Sequence, residues 1–234
     1  MSTSYSPKII TDGLVMCLDA GNIKSYASGS GTWYDLITPS YSGSLINGPT
    51  FSASNKGVIV LDGVNDRVEV SNTGLDIGGK PPNCTLSFWL KATRKNDYIQ
   101  PAGFRNQFGI FDFYFLVLDS GGATVNTEAR LTTTDGTYDL NVNFLPYFGN
   151  WTNITFAAYS TYTQLFFNGN LAGTRSSVTG NFGASSSKFA IGANVAGSAF
   201  WTSGSIGSVM LYNRGLSGQE ILQNYNSTKG RYGL

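Results

Sequence analysis

Gly149 to Thr174 reads G-N-W-T-N-I-T-F-A-A-Y-S-T-Y-T-Q-L-F-F-N-G-N-L-A-G-T, and the fold of the chain is read from it. Apolar residues recur with period two, the spacing of a half-buried strand. Ile154, Phe156 and Ala158 point one way, and Asn153, Thr155 and Ala157 the other. A tight reversal near Ser160 and Thr161 leads into a second strand with Leu165 and Phe167 inward. Asn168-Gly169 then supplies a two-residue turn, since both residues tolerate positive φ, and Leu171 starts a third strand. Three strands, each beside its sequence neighbour, make an antiparallel meander.

The same alternation recurs outward from this stretch. Cys84 to Lys91 sets Cys84, Leu86, Phe88 and Leu90 inward and Thr85, Ser87, Trp89 and Lys91 outward. Leu14 to Leu18 is a continuous apolar run, the pattern of a strand buried on both faces. Val58 to Leu61 and Arg67 to Val70 are expected to pair across the polar turn Asp62-Gly63-Val64-Asn65-Asp66. Phe108 to Leu118 is an aromatic strand. Glu128 to Thr133 and Tyr138 to Phe144 form a pair turned at Asp135-Gly136, and Lys188 to Ile191 and Ile206 to Tyr212 supply the last strands. Residues 19–50 read as loop.

One helix closes the chain. Ser217-Gly218-Gln219-Glu220 is a capping box, with Leu216 and Ile221 at the positions of a hydrophobic staple. Ile221, Leu222 and Tyr225 give an apolar face, and Gly230 suits the stop. At 234 residues with 29 glycines and only 12% charged residues, the chain fits one all-β domain of many short strands. The fold expected is an antiparallel two-sheet jelly-roll sandwich with one short C-terminal helix, an N-terminal arm over residues 1–11 and one domain over 12–234.

Composition narrows function. A net charge of +1 argues against nucleic-acid binding, which needs a basic stripe for phosphates. No apolar run has the length of a membrane span. The N-terminal residues lack the apolar centre of a signal peptide, so synthesis in a cytoplasm is expected. Cys17 and Cys84 sit in apolar alternations and are read as buried thiols. With no histidine, His-dependent triads and typical zinc sites are excluded. Of the three glutamates, Glu69, Glu128 and Glu220, none has a carboxylate two residues away, and Asp112 lacks an i+2 partner. Glycoside hydrolysis needs such a pair on one face, so no enzyme is expected.

The meander, the strand Thr85-Leu86-Ser87-Phe88-Trp89 and the ending Leu211-Tyr212-Asn213-Arg214 before a capped helix resemble the concanavalin A-like lectin/glucanase superfamily, in its laminin G type. The resemblance covers about residues 12–228. Its markers are Leu61-Asp62-Gly63 with Asn65-Asp66, Gly149-Asn150-Trp151 and Phe166-Phe167-Asn168-Gly169. The opening Tyr5-Ser6-Pro7-Lys8 and the ending Gln223-Asn224-Tyr225-Asn226 through Lys229-Gly230-Arg231-Tyr232-Gly233 are similar to versions found in tailed-phage virion proteins. Many relatives carry Asp where this chain has Gly207.

The resemblance implies a virion protein made in the host cytoplasm. The placement expected is capsid decoration or head fibre, with a tail-associated receptor-binding lectin and a purely structural cement protein as the open alternatives. Other virion proteins are the expected partners, and the chain is expected to be a homo-oligomer on the particle. Docking is assigned to the arm residues Tyr5, Pro7, Ile9 and Ile10 by strand addition. Weak sites repeated over a particle raise apparent affinity for host-surface glycans. Trp33, Tyr34, Tyr98, Phe200 and Trp201 lie in stretches read as loops and are the glycan-stacking candidates, with subunit contact and core capping as the competing readings. Asp62, Asn65 and Asp66, with Asp35 joining from the preceding loop, offer oxygens to a calcium ion of the kind laminin G relatives hold; the competing reading is a turn held by its own side chains.

Overall fold

The computed structural model describes residues 8–71, 80–105, 112–183, 188–194 and 196–234. Sixteen strands follow in chain order: β1 (Leu14–Asp19), β2 (Thr32–Trp33), β3 (Gly43–Ile46), β4 (Thr50–Ser52), β5 (Val58–Asp62), β6 (Arg67–Val70), β7 (Cys84–Ala92) and β8 (Ile99–Arg105), then β9 (Asp112–Leu118), β10 (Asn126–Thr133), β11 (Gly136–Leu140), β12 (Thr152–Tyr159), β13 (Tyr162–Phe167), β14 (Asn170–Ser176), β15 (Phe189–Ile191) and β16 (Ser203–Tyr212). One helix, α1 (Gly218–Thr228), follows. The first part of the expected strand from Phe108 lies outside the described residues.

Two antiparallel sheets of eight strands stack face to face as a jelly-roll sandwich. The first runs β14-β13-β12-β7-β16-β5-β4, with β1 also on β16; the second runs β11-β10-β9-β8-β15-β6-β3-β2. The core lies between them, where the inward set of the meander and of β7 meets β8, β9 and β15. Phe156 stacks on Phe113 at 4.7 Å and Phe88 meets Phe115 edge-on at 5.7 Å. Asn168 and Gly169 adopt φ of 52° and 76°, the left-handed pair that the β13–β14 turn requires.

Several elements differ from expectation. β5 and β6 do not pair with each other: β5 lies between β4 and β16, while β6 lies between β3 and β15 in the other sheet. Both present apolar residues to one core, so a hairpin and a crossover leave the same alternation. The β10–β11 turn is Thr134-Asp135, because Thr133 faces Gly136 across the pair. The stop after α1 comes at Gly233 (φ 79°) rather than Gly230. Within residues 19–50, β2 and β3 add to the second sheet.

The outward face of the first sheet is a second apolar layer. Leu14, Cys17, Ala157, Phe166, Met210, Tyr212, Leu216 and Ile221 pack together there, with Ile9 and Ile10 against them. The capping box forms as expected: Ser217 Oγ accepts from the Glu220 amide, and the Glu220 carboxylate accepts from the Ser217 amide at 2.8 Å. On the buried side of α1 Asn224 takes the place expected for Leu222, which is exposed. Asn224 accepts from the Ile10 amide at 2.7 Å and donates to Tyr212 Oη at 3.0 Å, which in turn donates to the Ile10 carbonyl. Ile9 and Ile10, assigned to a docking arm, are thus packed on their own domain; Tyr5 and Pro7 lie outside the described residues. Both cysteines are buried free thiols, and burial, with Asp19 and Asp35 nearby, pushes the Cys17 thiol up to about 12.

Candidate functional site

Three chain segments meet where β16 begins. The turn after β5 is built by Asp62, whose Oδ1 accepts from the amides of Val64 (2.7 Å), Asn65 (3.2 Å) and Asp66 (3.3 Å). Asp66 Oδ2 accepts in return from the Asp62 amide at 3.0 Å. Burial raises the Asp62 carboxyl, but those amides and Lys95 together hold it below its ordinary value. Lys95, in the loop after β7, donates to the Gly63 carbonyl and so ties the second segment to the first.

The third segment, residues 192–202, is folded by Asn194. Its Oδ1 accepts from the amides of Ser198 (2.9 Å) and Ala199 (3.2 Å), and its Nδ2 donates to Ser198 Oγ. Gly197 packs against the Arg67 guanidinium, where a Cβ would stand 2.5 Å from Cζ. This turn delivers Phe200, whose carbonyl accepts from the Gln100 amide at 2.8 Å. Phe200 has φ of 62°, a left-handed conformation that costs an aromatic residue about 1–3 kcal/mol. Its ring lies parallel to that of Tyr98, with centroids 6.5 Å apart and planes at 18°. Tyr98 is 40% exposed, and Trp201, the residue after Phe200, is half-buried. Among the described residues, the buried side chains flanking this pair, both amide atoms of Gln100 and the Thr202 hydroxyl, have no hydrogen-bond partner, an uncommon state for buried polar groups.

The expected site residues therefore divide. Tyr98 and Phe200 come together, Trp201 follows Phe200 in the chain, and Asp62, Asn65 and Asp66 lie in the turn beside the start of β16. Trp33 is fully buried in β2 and belongs to the core. Tyr34 is 48% exposed but sits elsewhere, its amide bonded to the Ser25 carbonyl. Asp35 is buried; its carboxylate accepts from the amides of Cys17 (2.5 Å) and Thr38 (2.6 Å). Cys17 pairs with Met210, whereas Asp62 pairs with Ser203. Seven residues of one strand separate those positions, about 23 Å at roughly 3.3 Å per residue. Asp35 cannot join Asp62 around one ion. The remaining calcium candidates have their carboxylates engaged by backbone amides, and among the described residues no three His, Cys, Asp or Glu side chains form a metal-binding group. The four residues expected for calcium thus do not form one set, and the turn at Asp62 is held by bonds to its own amides.

Among the described residues, all three glutamates and Asp112 are tied to cations or hydroxyls. Glu128 accepts from Tyr114 Oη at 2.6 Å and lies 3.2 Å from Arg130, which also forks onto Asp139 at 2.7 and 2.8 Å. Glu69 pairs with Lys188, and Glu220 takes both arms of Arg214 at 2.6 and 3.0 Å. Asp112 accepts from the Thr132 hydroxyl at 3.3 Å. Sequence reasoning missed Gln100, Asn194 and the pairing of Tyr98 with Phe200. The only signal for that pairing was aromatic residues in two polar stretches far apart in the chain.

A comparison with curated proteins finds no match. Solved structures share the fold. The binding domain of Paraclostridial Mosquitocidal Protein 1 superposes with a TM-score of 0.69 at 17% identity, over 92% of this chain and 52% of that one. The Botulinum Neurotoxin Type G receptor binding domain gives 0.63 at 11%, over 92% and 51%. Domain 4 of AbnA, a GH43 extracellular arabinanase from Geobacillus stearothermophilus solved in complex with arabinotriose, gives 0.66 at 14%, over 91% and 98%. The chain spans about half the length of the toxin binding domains it matches. A family model described as the concanavalin A-like lectin/glucanases superfamily (Laminin_G_3) matches residues 62–222, well over half of the sequence. With its two antiparallel sheets, the chain belongs to the concanavalin A-like lectin/glucanases superfamily.

Proposed function

We infer that this chain is a non-catalytic attachment module that binds glycans weakly through the end of the sandwich carrying Tyr98, Phe200 and Trp201. The observation that carries this reading is the Tyr98–Phe200 stack, in which an exposed ring lies parallel to a half-buried one carried on a left-handed backbone. A pyranose presents a face of C–H groups, which suits the negative face of an aromatic ring. Fold neighbours lend support: one was solved with arabinotriose, and others are receptor binding domains. Carboxylates already spent on Arg130, Arg214 and Lys188 suit a binding role better than acid–base chemistry.

The biological setting we infer is the surface of a phage particle, as a capsid decoration or head-fibre subunit. Repetition over the particle would turn weak single sites into firm host attachment. A glycan array probed with a multimerised form of the chain tests the binding. Selective binding is expected, with Tyr98→Ala weakening it about fivefold or more while the fold is kept. Absence of any glycan signal from the multimer would remove the reading. Immunogold labelling of purified particles tests the setting: gold on heads is expected, gold on tails favours a receptor-binding tail lectin, and unlabelled particles refute it.

A further inference from the structure

We propose that the outer face of the first sheet carries a second binding groove, for a carboxylated oligosaccharide, with Trp151 as its platform and Lys91 as the partner of the sugar's carboxylate. The proposal deepens the attachment reading, since it presumes a glycan ligand, but it uses different residues on a different face.

Two shallow depressions, of about 310 and 440 Å³, lie on this face, and both are lined by Lys91 and Trp151. They form one groove that passes over those two side chains. Ser54, Thr93 and Ser205 line the first part, and Asn150 and Asn168 the second. Hydroxyls and amides stand here among the half-exposed rings of Trp151 and Tyr147, with Val58, Pro146, Tyr232 and Leu234 as apolar lining, the mixed surface that suits a sugar's hydroxyls and C–H faces.

The indole is fixed before any ligand arrives. Trp151 Nε1 donates to Asn55 Oδ1 at 2.9 Å, and its ring leans on Tyr232 with centroids 4.7 Å apart. A platform already held in place loses little freedom on binding.

The charge of the ligand follows from Lys91. It is the only exposed residue of β7 and the only charged side chain lining either depression. Among the described residues it has no ion-pair or hydrogen-bond partner, whereas the Arg94 and Lys95 side chains nearby are engaged with Asp119 and the Gly63 carbonyl. An unspent ammonium beside a stacking ring selects a sugar with a carboxylate.

The test is titration of the full chain with tetramers of galacturonic, mannuronic and sialic acid and with their methyl esters, followed by amide and indole NMR shifts. At least one acid is expected to move the Trp151 indole N–H and the amides of Lys91 and Ser205. Its ester, and the Lys91→Gln variant with the acid, should each bind about tenfold more weakly. Lys91 is exposed, so this variant keeps the fold, which its unfolding midpoint verifies; Tyr98→Ala should leave this binding unchanged. Equal binding of acid and ester, or silence at Trp151 with every acid, overturns the proposal. Shifts confined to the Tyr98 and Phe200 end also overturn it, while leaving the attachment reading intact.

Discussion

Two aromatic clusters lie on the surface of this sandwich, and they are held in opposite ways. On the outer face of the first sheet, Trp89 stacks on Tyr232 at 4.1 Å and on Tyr225 at 5.8 Å, and its Nε1 donates to Thr228 at 3.0 Å. Arg231 closes this clasp by donating to Asp19 and to the carbonyls of Asn55 (2.6 Å) and Gly57. At the loop end Tyr98 stacks on Phe200, and among the described residues Gln100 and Thr202 beside them have buried polar atoms without partners. The difference is one of cover: the C-terminal segment buries the first cluster, although Tyr232 Oη too has no hydrogen-bond partner among the described residues, while the rings at the loop end stay partly open to solvent.

The sharpest way to break this contrast is to truncate one ring from each cluster. Trp89→Ala should cost about 3–5 kcal/mol in chemical denaturation, since the ring is fully buried between β7 and the C-terminal segment. The Tyr98→Ala variant of the glycan test is the reference, expected within about 0.5 kcal/mol of the parent because its ring is an exposed one. Equal costs for the two would erase the distinction between closure and display.

A subtler probe leaves every ring in place. A Cβ on Gly207 would stand 2.0 Å from Tyr232 Oη and 2.7 Å from two ring carbons. The tyrosine therefore fills the space that any side chain at position 207 would need. Gly207→Ala should destabilise by about 1–3 kcal/mol through displacement of the ring. In a Tyr232→Ala background most of that cost should vanish, and a cost that persists would place the clash elsewhere.

The contrast also marks what the sequence made legible. The meander, its Asn168-Gly169 turn and the capping box at Ser217 are local devices, written within a few residues, and they appear as read. Trp89 was read as outward, which it is, but the cover that buries it comes from Tyr225 and Tyr232, more than a hundred residues later. Trp33 and Tyr34 are adjacent and look alike, yet the pleat sends one into the core and the other to solvent. The turn at Asp62 is legible because an Asx turn is self-contained; its position near the Phe200 segment is not, since long-range pairing of β5 with β16 and the packing of Gly192 and Gly197 bring the two together.

Acid should loosen the two regions unequally, and this is the smallest effect of the series. The Glu220 carboxyl, bonded by Arg214 and also by the Ser217 amide and hydroxyl, is held down at about 2, against an ordinary 4.5. A carboxyl depressed in the fold contributes stability that is complete above its unfolded value and disappears as pH falls through the folded one. Between pH 4.5 and 2 the first turn of α1 should therefore lose protection from hydrogen exchange. At the loop end the signs oppose: Asp62 is lowered, while Asp66 is raised by burial and by the charge of Asp62. Protonating Asp66 relieves a cost as protonating Asp62 removes a gain, so protection there should change little over the same range. Glu220→Gln should flatten the acid slope at α1 by less than about 1 kcal/mol, because the pair is partly solvated. A slope that survives that substitution would assign the acid sensitivity of the first turn of α1 to a group other than Glu220.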